Sequence, residues 1–123
     1  MRKKIFIALL CFPILFISCD LNNNYGYPSK ITFEKEGGTK ICSGSSSCYS
    51  VEIKDYNGNG KNIETEGEND TTTVTYDWLT VRYKRFGHAQ LEITASPNPG
   101  KKRRLYAYGW VDNSFATIKV VQH

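Results

Sequence analysis

Asp55-Tyr56-Asn57-Gly58-Asn59-Gly60, with Glu66 six residues beyond Gly60, is the segment of this 123-residue chain that most resembles a ligand set. Oxygen donors at alternate positions, here Asp55, Asn57, Asn59 and Glu66, can encircle a hard cation such as calcium, and Gly60 permits the sharp turn such a loop needs. Two features weigh on the other side. Residues 51–54 alternate like a strand where a helix should flank the loop, and Asn62 stands where an apolar residue is usual. The same residues equally make a connection between strands, because Asn and Gly tolerate positive φ. Calcium is the one cofactor the sequence offers, and nothing requires it.

The second kind of chemistry is adhesion. Residues 79–123 carry 8 bases and 2 acids, whereas residues 19–78 carry 5 bases and 10 acids, so the chain is strongly dipolar. Lys101, Lys102, Arg103 and Arg104 run together, and with Arg82, Lys84 and Arg85 they can form a basic patch that attracts sulfated or sialylated glycans or lipid phosphates. The competing reading is a solvated turn whose charges keep a strand edge from aggregating. Sugars also favour aromatic faces, on which their C–H groups stack. Among eight Tyr, six Phe and two Trp, alternation assigns Tyr76, Trp78, Tyr83, Tyr106, Tyr108 and Trp110 to the core. Tyr56 and Phe86, in loops, remain for contact. The candidate ligand-binding set is thus Tyr56, Phe86, Arg82, Lys84, Lys101, Lys102, Arg103 and Arg104.

Catalysis finds little support. His88 is the one internal histidine, and no Gly-x-Ser-x-Gly elbow accompanies it. Glu64, Glu66, Glu68 and Asp70 sit together in what reads as a polar loop, where acids are usually solvated rather than paired for glycoside cleavage. A small glycan hydrolase is therefore a remote alternative.

The N-terminus speaks of export. Arg2, Lys3 and Lys4 precede an unbroken apolar run of 13 residues from Ile5 to Ile17, too short to span a bilayer as a helix and typical of a signal peptide. The run ends in Phe16-Ile17-Ser18-Cys19, which resembles the lipobox of bacterial lipoproteins, so residues 1–18 are expected to be removed and Cys19 to be lipidated. Several acyl chains, at about 0.8 kcal/mol per buried methylene, hold a protein firmly at a membrane. Residues 19–29 then read as a polar tether, with Tyr25 and Tyr27 near the headgroups. Nucleic acid suits the charge but not an exported location. Export also favours disulfides, and Cys42 and Cys48, separated by Ser-Gly-Ser-Ser-Ser, are expected to pair; zinc is the competing reading, at odds with the number and spacing of Cys and His.

Stepping from these groups to the elements that carry them, segments of alternating or β-branched residues recur between clusters of Gly, Asn, Asp and Pro, and no amphipathic helix appears. Ile31 and Phe33 share a face, as do Tyr49, Val51 and Ile53; Leu91, Ile93 and Ala95; and Ala116, Ile118 and Val120. Val74, Tyr76 and Trp78 have one parity and Leu79, Val81 and Tyr83 the other, which predicts a bulge or bend near Asp77. Seven to eight short strands in residues 30–123 describe an all-β, two-sheet sandwich.

Glu36-Gly37-Gly38-Thr39-Lys40, Trp78-Leu79-Thr80-Val81, Leu91 to Ser96 leading through Asn98 to Arg104, and Ala116 to Gln122 together resemble a BACON domain, the Bacteroidetes-associated carbohydrate-binding family. The resemblance implies an immunoglobulin-like sandwich, glycan binding, and an Asn and a downstream Arg that Asn98 and Arg104 would supply. The expected protein is a non-catalytic lipoprotein at the outer membrane or cell surface of a Gram-negative bacterium, its module bound to or positioned on glycan or mucin-like material. The alternative is a structural or protein-interaction subunit of an envelope complex.

Overall fold

The computed structural model describes residues 24–85 and 87–123, and no helix occurs among them. The leader, Cys19 and Phe86 lie outside the described residues. Nine strands form two sheets. One sheet holds β1 (Lys30–Phe33), β3 (Ser50–Lys54), β8 (Arg103–Val111) and β9 (Ser114–Gln122) in the order β1-β9-β8-β3. The other holds β2 (Gly38–Ser43), β4 (Ile63–Glu66), β5 (Thr71–Tyr76), β6 (Leu79–Lys84) and β7 (Gln90–Ala95) in the order β2-β7-β6-β5-β4. β1 runs parallel to β9, and every other pairing is antiparallel.

The core is the layer of alternate side chains between the sheets. Val51, Ile53, Leu105, Ala107, Ile118 and Val120 from the four-stranded sheet meet Val74, Leu79, Val81, Leu91 and Ile93 from the five-stranded one, all buried. Period-two burial alone explains this arrangement, since a strand sends successive side chains to opposite faces. Trp78 and Tyr83 join the core as their parity suggests, with Tyr76 packed against it.

Four expectations change. First, the ninth strand is β4, in the segment that reads as a polar loop; all of its residues are exposed, so no hydrophobic alternation marks it, and it exists because its backbone pairs with β5 from Ile63 opposite Thr75 to Glu66 opposite Thr72. Second, the parity change at Asp77 is a chain reversal and not a bulge: Tyr76 pairs with Leu79, and Asp77 takes φ 56° in the two-residue turn between them. Asp is among the few residues that enter the left-handed region readily. Third, residues 24–29 belong to the domain and not to a tether. Tyr27 is buried at 4 % exposure, and the Asn24 side chain pairs with both the N–H (2.8 Å) and the C=O (2.9 Å) of Thr117 in β9 as a strand backbone would.

Fourth, Cys42 and Cys48 are free, buried thiols. Cys42 faces inward from β2 opposite Leu91, while Cys48 follows the crossover to the other sheet and lies against Gly109 of β8, where a Cβ would come within 2.6 Å of its Sγ. Each thiol fills core volume as a small apolar group. Burial pushes both thiols above the ordinary range, and it raises the hydroxyl of Tyr27, 3.7 Å from the Cys48 Sγ, in the same way.

Candidate functional site

β8 carries apolar residues at both parities, and the interior takes the smaller set. Leu105, Ala107, Gly109 and Val111 point inward, and Tyr106, Tyr108 and Trp110 lie half-buried on the outer face. This reverses the sequence-based assignment of those three aromatics to the core. Two physical reasons account for it. Cys48 and the Leu91 side chain occupy the interior beside Gly109, leaving no room for a ring. A buried tyrosine must also find a partner for its hydroxyl, and facing outward removes that requirement.

Neighbouring strands extend this aromatic row into a surface. Trp110 is paired with Phe115 across the β8–β9 hairpin, and Tyr108 with Thr117. The Phe115 ring meets Trp110 edge to face at 4.8 Å and Tyr108 at 5.3 Å. Toward the other end of the face, one register row crosses all four strands: Lys30 on β1, Lys119 on β9, Tyr106 on β8 and Lys54 on β3. Lys54 Nζ lies 5.7 Å from the Tyr108 ring centre and 3.7 Å from Glu52. Beyond that row, Arg104 stacks at 4.7 Å on Tyr56, which is 71 % exposed. A cleft of about 420 Å³ opens at this end, lined by Lys30, Lys102, Arg103, Arg104, Lys119 and Val121.

The basic patch expected from the sequence is therefore divided. Lys102 and Arg104 face the cleft. Arg103, one residue away, is committed to the end of the sandwich: its Nε donates to Gln122 (2.9 Å), its NH2 group to the carbonyls of Ser96 and Pro97, and its guanidinium stacks at 4.5 Å on Trp78. Gln122 is fully buried and donates in turn to Ser96 and Glu34. Asn98 completes this end, donating to the carbonyls of Lys101 and His123 and accepting from Gly100 N–H. The arginine that joins this end is thus Arg103 and not Arg104. The Lys101 side chain is exposed.

Arg82 and Lys84 sit on the outer face of the opposite sheet, with Arg82 bound to Glu92 at 3.2 Å. A second cleft there, about 290 Å³, has Ile41, Arg82, Lys84, His88 and Glu92 among its lining and so mixes both signs of charge. Arg85 bridges Glu66 at 2.8 Å and Glu64 at 3.5 Å.

Two of the candidate calcium ligands have partners within the chain. Asp55 Oδ1 accepts the backbone N–H groups of Asn57 and Asn59, both at 2.9 Å, in a side-chain-closed turn, and Glu66 is held by Arg85 on β4. The departure at Asn62 has its own explanation. Its side chain bonds both the N–H (2.7 Å) and the C=O (2.8 Å) of Ile53, covering the free edge of β3. Among the described residues no group of three or more His, Cys, Asp or Glu is placed to hold a metal.

Lys30, Lys54 and Lys119 are the members of the outer face that sequence reasoning missed. Each reads alone as the solvent side of a strand. What brings Lys30 beside Lys119 is the parallel pairing of the first and last strands, which no local pattern encodes.

No family model matches the chain, and no curated protein does. Among solved structures it is similar to an NMR structure of a protein from Bacteroides thetaiotaomicron, at 19 % identity and a TM-score of 0.46, over 79 % of this chain and 81 % of that one.

Proposed function

We propose that this chain is a non-catalytic cell-envelope lipoprotein whose β-sandwich holds extracellular glycan or mucin-like material on the outer face of the β1-β9-β8-β3 sheet. The observation that carries the reading is the row Tyr106, Tyr108 and Trp110, which the fold keeps out of the core, with Phe115 bracing Tyr108 and Trp110. Half-exposed rings on a rigid sheet offer pyranose C–H groups flat, electron-rich surfaces at little entropic cost. The flanking Lys54, Lys119 and Arg104 supply donors for hydroxyls. The basic, apolar leader and Cys19 support export, lipidation and a place at the outer membrane or cell surface. The pairing of β1 with β9, β9 with β8 and β8 with β3, opposite a sheet that begins β2-β7-β6, supports the finer immunoglobulin-like reading.

The test is a glycan and mucin panel applied to the purified full-length chain. Saturable binding is expected, and Tyr106→Ala with Tyr108→Ala should abolish it while the melting curve keeps its shape. Binding that survives this double substitution removes the face from the reading. A second reading, attachment to an envelope protein, rests on β4: this edge strand is exposed throughout, with Ile63 at 66 %, and offers unpaired backbone to an added strand.

A further inference from the structure

We propose that the glycan held on this face is polyanionic, a sulfated or uronate-rich polysaccharide, with its acidic groups seated among Lys30, Lys102, Arg104 and Lys119 and its rings on Tyr106 and Tyr108. The inference rests on the reading of the face as a glycan-binding surface and adds the ligand class. The cleft of about 420 Å³ has five cationic residues among its six lining residues and no carboxylate. None of Lys30, Lys102, Arg104 and Lys119 forms a salt bridge with a described carboxylate; the ion pairs among the described residues lie at Lys54, Arg82 and Arg85.

Folding does not account for the arrangement. Lys30 and Lys119 are register partners on adjacent strands, and like charges directly opposite one another weaken a sheet. Arg104 is held over Tyr56 rather than paired with an acid. An anion placed between these groups relieves the repulsion and forms charge-assisted hydrogen bonds with all of them. The aromatic neighbours favour a polysaccharide over a lipid headgroup. Lys119, Tyr106 and Lys54 share one row, and Arg104, Tyr106 and Tyr108 follow one another along β8 in steps of about 6.8 Å, two strand residues each. Cations and rings thus lie side by side on one face, as acidic groups and pyranose rings do along a charged glycan, whereas a headgroup surface presents phosphate without a pyranose face to stack.

The experiment titrates the purified full-length chain with heparin, dextran sulfate, unmodified dextran, vesicles containing phosphatidylglycerol, and vesicles of phosphatidylcholine alone. Heparin or dextran sulfate should bind saturably, unmodified dextran should bind far more weakly, and added salt should reduce the affinity. The triple variant Lys30→Gln, Arg104→Gln, Lys119→Gln should lose about tenfold or more in affinity. Tyr106→Ala with Tyr108→Ala should abolish binding. Arg82→Gln, Lys84→Gln, Arg85→Gln removes the same charge from the opposite sheet and should leave binding unchanged. Equal losses in the two triple variants would reduce the effect to net charge and overturn the inference. Binding to the anionic vesicles, but neither to vesicles of phosphatidylcholine alone nor to either sulfated glycan, would overturn it in favour of a headgroup surface. If a neutral glycan binds through Tyr106 and Tyr108 and ignores the cation triple, the inference falls while the proposed function stands; if no glycan of any kind binds, both fall.

Discussion

Rows of side chains cross both outer faces of the sandwich. On the five-stranded sheet the row reads Thr39, Thr94, Thr80, Thr75 and Ile63, and the next row reads Ile41, Glu92, Arg82, Thr73 and Thr65. On the four-stranded sheet the row reads Lys30, Lys119, Tyr106 and Lys54. Thr and Tyr both suit a pleated surface, so strand formation does not choose between them. The faces differ in what they leave unsatisfied. Thr39 bonds Thr94 at 2.9 Å, Thr75 bonds Thr80 at 3.2 Å, and Arg82 is neutralised by Glu92. The aromatic face has rings open to one side and, at Lys30, Lys119 and Arg104, cations without a described acid, although Lys54 has Glu52. A face that answers its own polar groups needs nothing further, and a face that does not is where a ligand gains most.

Substitutions on β8 sharpen this contrast most strongly, because one strand carries both the core and the aromatic face. Leu105→Ala, on the inner side, should cost roughly 2–5 kcal/mol as a cavity opens. Tyr106→Ala, its neighbour on the outer side, should cost about 1 kcal/mol or less. Denaturant unfolding of the two variants measures the difference, and comparable losses would mean that the outer ring is structural. A smaller contrast separates the adjacent arginines. Arg103→Ala leaves the buried Gln122 Oε1 without its donor and should cost roughly 1–3 kcal/mol, whereas Arg104→Ala should leave the melting temperature nearly unchanged. Parity between them would merge the cleft with the sandwich end. The smallest effect belongs to the threonine face: Arg82→Ala with Glu92→Ala removes an exposed pair worth about 0.2–1 kcal/mol and should leave glycan titrations as they were. A loss of binding there would erase the distinction between the two faces.

Much of the architecture was legible in the chain. Alternation located most of the strands and most of the core, since one buried face with one wet face leaves a period-two record. Where both parities were apolar, as in β8, that record pointed the larger residues inward and was wrong; the occupants of the facing interior, Cys48 and Leu91, settled which side went in. Where neither parity was apolar, as in β4, hydrogen bonding alone made the strand. The spacing of Cys42 and Cys48 suggested a bridge because sequence proximity says nothing of the crossover between sheets that separates their positions. Tyr56 and Arg104 were found among the candidates as single residues, but their stacking was not visible, because a loop and a strand far apart in the chain form it.

The chain by itself determined an all-β fold, the inward sets of most strands and a basic C-terminal half, because alternation and local charge are properties of neighbouring residues. Tertiary structure alone decided that three aromatics face outward, that the run from Lys101 to Arg104 divides between a buried network and an open cleft, and that Lys30 stands beside Lys119. Those outcomes depend on pairing between distant strands and on the volume left between the sheets, and neither quantity is written in any local stretch of sequence.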